Sequence, residues 1–196
     1  MSDLKPLTPL GGDIARLDQI GVLRIAENPN LAIASLAARK GRSADVAQTV
    51  KAALQIELPQ PGKSRRTVTH TVWWMGPDQW MLSAEHNAHE LLADEVKAIV
   101  GDAASVTEQT DAWCCFEVSA HCEHGAASSE AALFALFERL CAVDVSQMVV
   151  EDATRTSIHH TGCFLIRKED GFCVIGPRSS AGSLHHALVE VAGGLG

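Results

Sequence analysis

The sequence predicts an α+β protein of two related ferredoxin-like halves, in which antiparallel sheets carry helices on one face. The first observation is the alternation of apolar and polar residues on both sides of a Gly76-Pro77-Asp78 turn, which is typical of a β-hairpin. The second is the strongest helical spacing in the chain, at Leu133, Leu136, Phe137 and Leu140. The third is the element order, β-α-β-β-α-β followed by β-α-β-β-β-α.

The first half follows from short apolar runs that lie between turn residues. Residues 31–37 are an apolar run that suits a strand or a helix. Ser43 then opens a helix whose inner face carries Val46, Val50 and Leu54. Residues 58–62 break the chain before the hairpin. Asn87 and Glu90 have the spacing of a capping box, so we expect the next helix to begin there and to end at Gly101. A strand at residues 105–109 completes this half.

The second half begins with a strand at residues 112–119 and the long helix after Ser128. Three short strands follow, at residues 155–160, 163–168 and 172–175. A closing helix runs from about Ser180 and ends at Gly193-Gly194. Residues 1–18 have no clear periodicity and are expected to be an arm that is disordered alone or ordered against a neighbour. We therefore expect an arm at 1–18, a ferredoxin-like half at 19–110 and a second α+β half at 111–196, packed as one compact unit.

Composition excludes several classes of function. The formal net charge is −8 over 196 residues and no basic run exceeds two residues, which argues against nucleic acid and anionic membranes as partners. The N-terminus lacks the apolar segment of a signal peptide, and no apolar run approaches a membrane span. We expect a cytoplasmic protein whose six cysteines are reduced.

Motifs for catalysis or cofactor binding are missing from the sequence. His121-Cys122-Glu123-His124 is compact, but no second pair with zinc-site spacing accompanies it, so no metal site is assigned. There is no G-x-S-x-G elbow, no G-x-G-x-x-G fingerprint and no P-loop. We assign no catalytic, cofactor-binding or metal-binding residue to this chain.

One segment has the composition of an anion site. Arg178, Ser179 and Ser180 connect a strand to a helix, where free backbone N–H groups and a guanidinium suit a carboxylate or a phosphate. The simpler interpretation, which we favour, is that a serine caps the helix while Arg178 pairs with an acidic neighbour.

Three tryptophans of the hairpin are candidates for a partner interface. Trp73 and Trp74 are adjacent on one strand and must face opposite sides of the sheet. We expect Trp74 or Trp80 to lie in the core. Trp73, which follows a row of threonines, is expected on the polar face as a contact for a protein partner, or as a stacking surface for a flat ligand such as a pterin.

The order of these motifs resembles the gamma subunit of heterotetrameric sarcosine oxidase over about residues 19–192. The similar segments are Trp74-x-Gly76-Pro77-Asp78-x-Trp80-x-Leu82, Cys141-Ala142-Val143-Asp144-Val145, Thr156, and Arg178-Ser179-x-Ala181. This family is similar in fold to the folate-binding domain of the glycine-cleavage T-protein. Two departures are Ser146, where the family often has His, and Gly176-Pro177 before the Arg-Ser pair.

The resemblance implies a non-catalytic subunit of a complex with alpha, beta and delta partners. Such a complex oxidises sarcosine to glycine, formaldehyde or methylene-tetrahydrofolate, and hydrogen peroxide. FAD, FMN, NAD and tetrahydrofolate would be carried on other subunits. The alternative is a stand-alone folate-binding or aminomethyltransferase-like domain, for which no pocket carboxylate can be assigned. A third hypothesis, a small metal-dependent enzyme, rests only on the Cys and His counts.

Overall fold

The computed structural model of the chain describes residues 6–121 and 126–195. In chain order the strands before the first helix are β1 (Leu17–Ile20), β2 (Leu23–Glu27) and β3 (Ala32–Ala38), followed by α1 (Ser43–Leu54). Then come β4 (Ser64–Arg66), β5 (His70–Gly76), β6 (Gln79–Ala84), α2 (Leu92–Val100) and β7 (Ala104–Glu108). The last elements are β8 (Trp113–Ala120), α3 (Ala126–Leu140), β9 (Ala153–Ile158), β10 (Thr161–Lys168), β11 (Gly171–Pro177) and α4 (Ala181–Gly193).

These elements belong to two compact units of the chain. The central unit comprises residues 30–111 and 151–153, and the terminal unit comprises residues 6–29, 112–121, 126–150 and 154–195. Each unit has one antiparallel sheet with helices packed on one face. The predicted α+β class is confirmed.

The central unit has the ferredoxin-like order that its sequence predicts. Its sheet runs β4-β5-β6-β3-β7, with antiparallel neighbours throughout. Helices α1 and α2 cover one face, because their apolar stripes bury Val46, Val50, Leu92 and Val96 against the strands. Strand β4 is an addition at the edge that the sequence analysis did not predict.

The terminal unit takes two strands from the N-terminus. Its sheet order is β1-β2-β8-β11-β10-β9, with α3 and α4 contributing Leu136, Phe137, Leu184 and Leu188 to its core. Because β2 pairs antiparallel with β8, residues 19–29 lie with the second half of the chain. The predicted boundary at residue 19 placed them with the first half, since strand pairing across about 90 residues leaves no local signal.

Two local predictions are wrong. Helix α2 begins at Leu92 rather than near Asn87, whose backbone N–H donates to Asn30 Oδ1 at 2.9 Å within a turn. The alternation before the Gly76-Pro77-Asp78 turn also predicts that Val68 shares a face with Val72 and Trp74, but Val68 is fully exposed because β5 begins only at His70. The start of α1 at Ser43, the strand near residues 105–109 and the long helix α3 agree with the prediction.

The helices of the described ranges are short. None of them is both long enough and apolar enough to cross a membrane.

Candidate partner-binding surface

The N-terminal segment, residues 6–20, is ordered against the terminal unit. Its first part closes into a loop in which Thr8 N–H donates to Gly12 O at 2.9 Å and Gly11 N–H donates to Thr8 O at 2.8 Å. Leu10 packs on the core of the terminal unit, and the segment then continues into β1. Residues 6–18 are ordered against their own chain, which is neither of the two states predicted for the arm, disordered alone or ordered against a neighbour.

A buried carboxylate holds this segment in place. Glu27, at the end of β2, is only 6% exposed and accepts the backbone N–H of Leu10 at 2.8 Å and of Arg16 at 2.9 Å. Charge-assisted hydrogen bonds of this kind offset the cost of removing a carboxylate from water. Because both ends of the 10–16 loop are tied to one side chain, the loop has a defined position.

This held segment presents apolar side chains to solvent. Leu7 is 52% exposed, Ile14 85% and Leu17 57%. Ile14 and Leu17 line one open groove of about 530 Å³, whose polar lining includes Asp18, Glu27 and His185. Single exposed apolar residues are common, but three on one ordered segment mark a candidate contact surface. We refer to Leu7, Ile14 and Leu17 as the arm surface.

The polar side of the groove is an ion-pair network. Asp18 accepts from Arg16 Nε at 3.0 Å and lies 2.7 Å from His185 Nε2, whose ring packs against Phe116. The hydrogen bond from Arg16, aided by His185, lowers the pKa of the Asp18 carboxyl. Both groove carboxylates, Asp18 and Glu27, are therefore already engaged by the protein's own donors.

Arg178 contributes to the same segment rather than to a helix cap. Its Nη2 donates to Leu7 O at 2.7 Å, so the expected pairing with an acidic neighbour is replaced by a main-chain carbonyl. Residues Arg178–Ser180 form a 3₁₀ turn before α4, and Ser180 stands at the N-cap without a side-chain capping bond. The favoured capping interpretation is wrong for Ser180. The anion site at Arg178, Ser179 and Ser180 stays a prediction.

The tryptophans differ from their predicted roles in one respect. Trp80 is 8% exposed and its Nε1 donates to Pro59 O at 3.0 Å, which confirms a core position. Trp74 is half-buried beside it on the helix-covered face. Trp73 is fully buried, so the expected exposed contact is wrong. Thr67 and Thr69, which indicated a polar face, precede β5 and do not extend its pleat.

The prediction for His121-Cys122-Glu123-His124 falls largely on residues 122–125, outside the described residues. Over residues 6–121 and 126–195, no three His, Cys, Asp or Glu side chains gather in a group suited to a metal ion.

The fold of the chain is similar to that of solved structures. A chain of the heterotetrameric sarcosine oxidase from Corynebacterium sp. U-96, in complex with pyrrole 2-carboxylate, has a TM-score of 0.70 and 21% identity. The match covers 90% of this chain and 86% of that one. The two chains share one fold. The resemblance to sarcosine oxidase that the sequence indicated is thereby confirmed at the level of structure.

A second similar structure is the glycine cleavage system aminomethyltransferase T from Bartonella henselae. Its TM-score is 0.55 at 13% identity, and the match covers 83% of this chain but only 44% of that protein. No family model and no curated protein sequence matches the chain. Similarity to sarcosine oxidase and to aminomethyltransferase T therefore rests on three-dimensional structure.

Sequence reasoning missed the residues that build the arm surface. Leu17–Ile20 and Leu23–Glu27 flank the Gly21-Val22 turn, which is a two-residue hairpin connection. That spacing was a usable signal for strands. The role of Glu27 had no signal in the sequence, because this carboxylate accepts hydrogen bonds from two backbone N–H groups, which nearly every residue type has.

Proposed function

We propose that this chain is a non-catalytic, gamma-type subunit of a sarcosine-oxidase-type complex. The complex would oxidatively demethylate sarcosine to glycine, formaldehyde or methylene-tetrahydrofolate, and hydrogen peroxide. The observation that carries this proposal is mutual coverage: 90% of the chain matches 86% of one chain of a heterotetrameric sarcosine oxidase. A match to nearly the whole of one subunit supports a subunit role more strongly than the match to less than half of aminomethyltransferase T does.

In this proposal the chain contributes to assembly and other subunits carry the chemistry. FAD, FMN, NAD and tetrahydrofolate would reside on the alpha and beta subunits, with delta as a further partner, in the cytoplasm. The arm surface supports an assembly role, because the apolar side chains of Ile14 and Leu17 are exposed to solvent. They lie on a segment whose position is fixed by hydrogen bonds to Glu27. Burial of such area at an interface is favourable by about 25 cal/mol per Å².

The alternative is a stand-alone folate-binding or aminomethyltransferase-like domain. It is supported by the likeness to aminomethyltransferase T, although this chain spans less than half of that protein. A pterin ring needs an acceptor for its amino-pyrimidine edge. In the groove beside the arm both carboxylates, Asp18 and Glu27, already accept hydrogen bonds from the protein, so this site does not favour folate.

Co-purification under native conditions tests the proposal. The tagged chain is expressed in cells of its own source and purified under native conditions, and the eluate is measured for flavin absorbance and for peroxide formed on addition of sarcosine. We expect flavin-containing partners in fixed stoichiometry and sarcosine-dependent peroxide. A colourless chain that elutes alone contradicts the proposal. Calorimetric titration with tetrahydrofolate then tests the alternative directly.

A further inference from the structure

Two cysteines face each other across neighbouring strands of the terminal unit. Strands β8 and β11 pair antiparallel with Cys173 opposite Glu117 and Cys115 opposite Ile175. Cys115 and Cys173 are therefore diagonal neighbours on one face of the sheet. Their Sγ atoms lie 3.2 Å apart, close enough for one thiol to donate a hydrogen bond to the other.

The two sulfurs differ in their access to solvent. Cys115 is 2% exposed, whereas Cys173 is partly exposed. The contact with Cys173, followed by burial, raises the pKa of the Cys115 thiol. Since the thiolate is the reactive form, Cys115 is protected from direct attack and Cys173 is the sulfur that an oxidant in solution meets first.

We infer that Cys115 and Cys173 form an oxidation site, at which a peroxide converts the paired thiols into a reversible disulfide. The inference is independent of the proposed function, because it depends only on the positions of the two sulfurs. It adds a covalent modification site to a chain for which the sequence predicted only reduced cysteines.

The reaction balances in two steps. Cys173 loses its proton to water and its sulfur attacks hydrogen peroxide, so that an S–O bond forms, the O–O bond breaks and hydroxide leaves. The Cys115 sulfur then attacks the Cys173 sulfur, forming the S–S bond and expelling the oxygen as a second hydroxide. The protons of the two thiols convert both hydroxides into water. Two thiols are oxidised by two electrons, and one peroxide is reduced to two waters.

The three other described cysteines lie in different surroundings. Cys141 is partly exposed, and its Sγ donates to Phe137 O at 3.4 Å. Cys114 is adjacent in sequence but faces the opposite side of β8, and its Sγ contacts Pro177 O at 3.6 Å. Cys163 is 1% exposed, and burial raises the pKa of its thiol to about 12. A selective oxidant at low excess is therefore expected to act on the Cys115–Cys173 pair first.

Peptide mapping of the intact wild-type chain tests the inference. The reduced protein is treated with one equivalent of hydrogen peroxide, alkylated and cleaved after glutamate, which separates residues 109–117 from residues 170–190. We expect a product lighter by about 2 Da in which these two peptides are joined, and its loss on treatment with dithiothreitol. Oxidation of Cys173 to higher acids without a joined peptide overturns the inference, as does a dominant bridge between other cysteines.

Variants resolve which cysteine of the adjacent pair is used. Residues 109–117 contain both Cys114 and Cys115, so the mapping is repeated with Cys114→Ser and with Cys115→Ser. The bridge to Cys173 should persist in the first variant and vanish in the second. A bridge that persists in Cys115→Ser assigns the wrong sulfur and overturns the inference. Fragment spectra of the wild-type joined peptide give the same assignment without any substitution.

Discussion

His185 Nε2 lies 2.7 Å from Asp18 Oδ2, and this contact joins α4 to the edge strand β1 across 167 residues of sequence. Arg16 Nε lies 3.0 Å from the same carboxylate oxygen. The network therefore ties the start of the chain to its last helix, beside the groove that the arm surface lines. Protonation of Asp18 in acid removes the charge that binds Arg16 and His185.

Asp18→Asn is expected to destabilise the protein by about 1 kcal/mol at neutral pH, because it removes a charged acceptor from Arg16 and His185. The pKa of Asp18 is lowered on folding, so its contribution is present above the pKa of an unfolded carboxyl, near 4, and is lost as the pH falls through the folded value. Urea unfolding at pH 7 and pH 3 measures this. If the difference in unfolding free energy between wild type and variant is the same at both pH values, the predicted role of the Asp18 charge is contradicted.

Glu27→Gln is expected to loosen the 10–16 loop at a cost of about 1–3 kcal/mol, since the amide can accept only through one oxygen. Hydrogen exchange at the Leu10 and Arg16 amides should become faster, while exchange in the helices α1 and α2 stays unchanged. Asp13→Asn, an exposed acid of the same loop, is the matched control. Equal protection of both amides in Glu27→Gln would show that another interaction holds the loop.

Gly171→Ala is expected to destabilise the protein by at least about 2 kcal/mol, because the added Cβ would lie 2.0 Å from the backbone oxygen of Val118. A backbone atom of a paired strand cannot rotate away as a side chain can. Gly162→Ala is the control, since nothing lies within 4 Å of its Cβ position. Thermal unfolding of both variants measures the difference, and similar melting temperatures would argue against the close approach of β11 and β8.

His70 is expected to make the stability of the protein fall as the pH decreases from about 6.5. Burial, followed by the charge of His89, lowers the pKa of His70, so the unfolded chain binds a proton at a pH at which the folded chain does not. Urea midpoints between pH 7.5 and 5.5 should show a shallower pH dependence in His70→Gln. His186→Gln, on an exposed face of α4, is the control, and its pH dependence of stability should match that of the wild type.

Ile14→Asp is expected to abolish co-elution of flavin-containing partners while changing stability by no more than about 0.5 kcal/mol, because Ile14 is 85% exposed. A charge placed in a buried interface is costly when unpaired. Val68→Asp is the matched control, since Val68 is a fully exposed apolar residue of the central unit. Full assembly with Ile14→Asp would remove the arm surface from the interface.

Local periodicity in the sequence determined most of the secondary structure and the class of fold. The alternation in residues 70–84 placed Val72, Trp74, Trp80 and Leu82 on one face, as the register of β5 and β6 shows. The spacing of Leu133, Leu136 and Phe137 predicted α3 for the same reason. A repeat of 2.0 or 3.6 residues needs no information from elsewhere in the chain.

Only the tertiary structure decided which distant segments pair and what they cover. It placed β1 and β2 beside β8, buried Trp73 that follows threonines in sequence, tied Glu27 to two backbone N–H groups and brought Cys115 within 3.2 Å of Cys173. The hydrogen bonds of Glu27 and the contact of the two sulfurs join residues 11 to 58 positions apart, and β2 and β8 are farther apart still. Their stabilisation comes from pairing and burial in three dimensions, which the order of residues along one strand or helix does not encode.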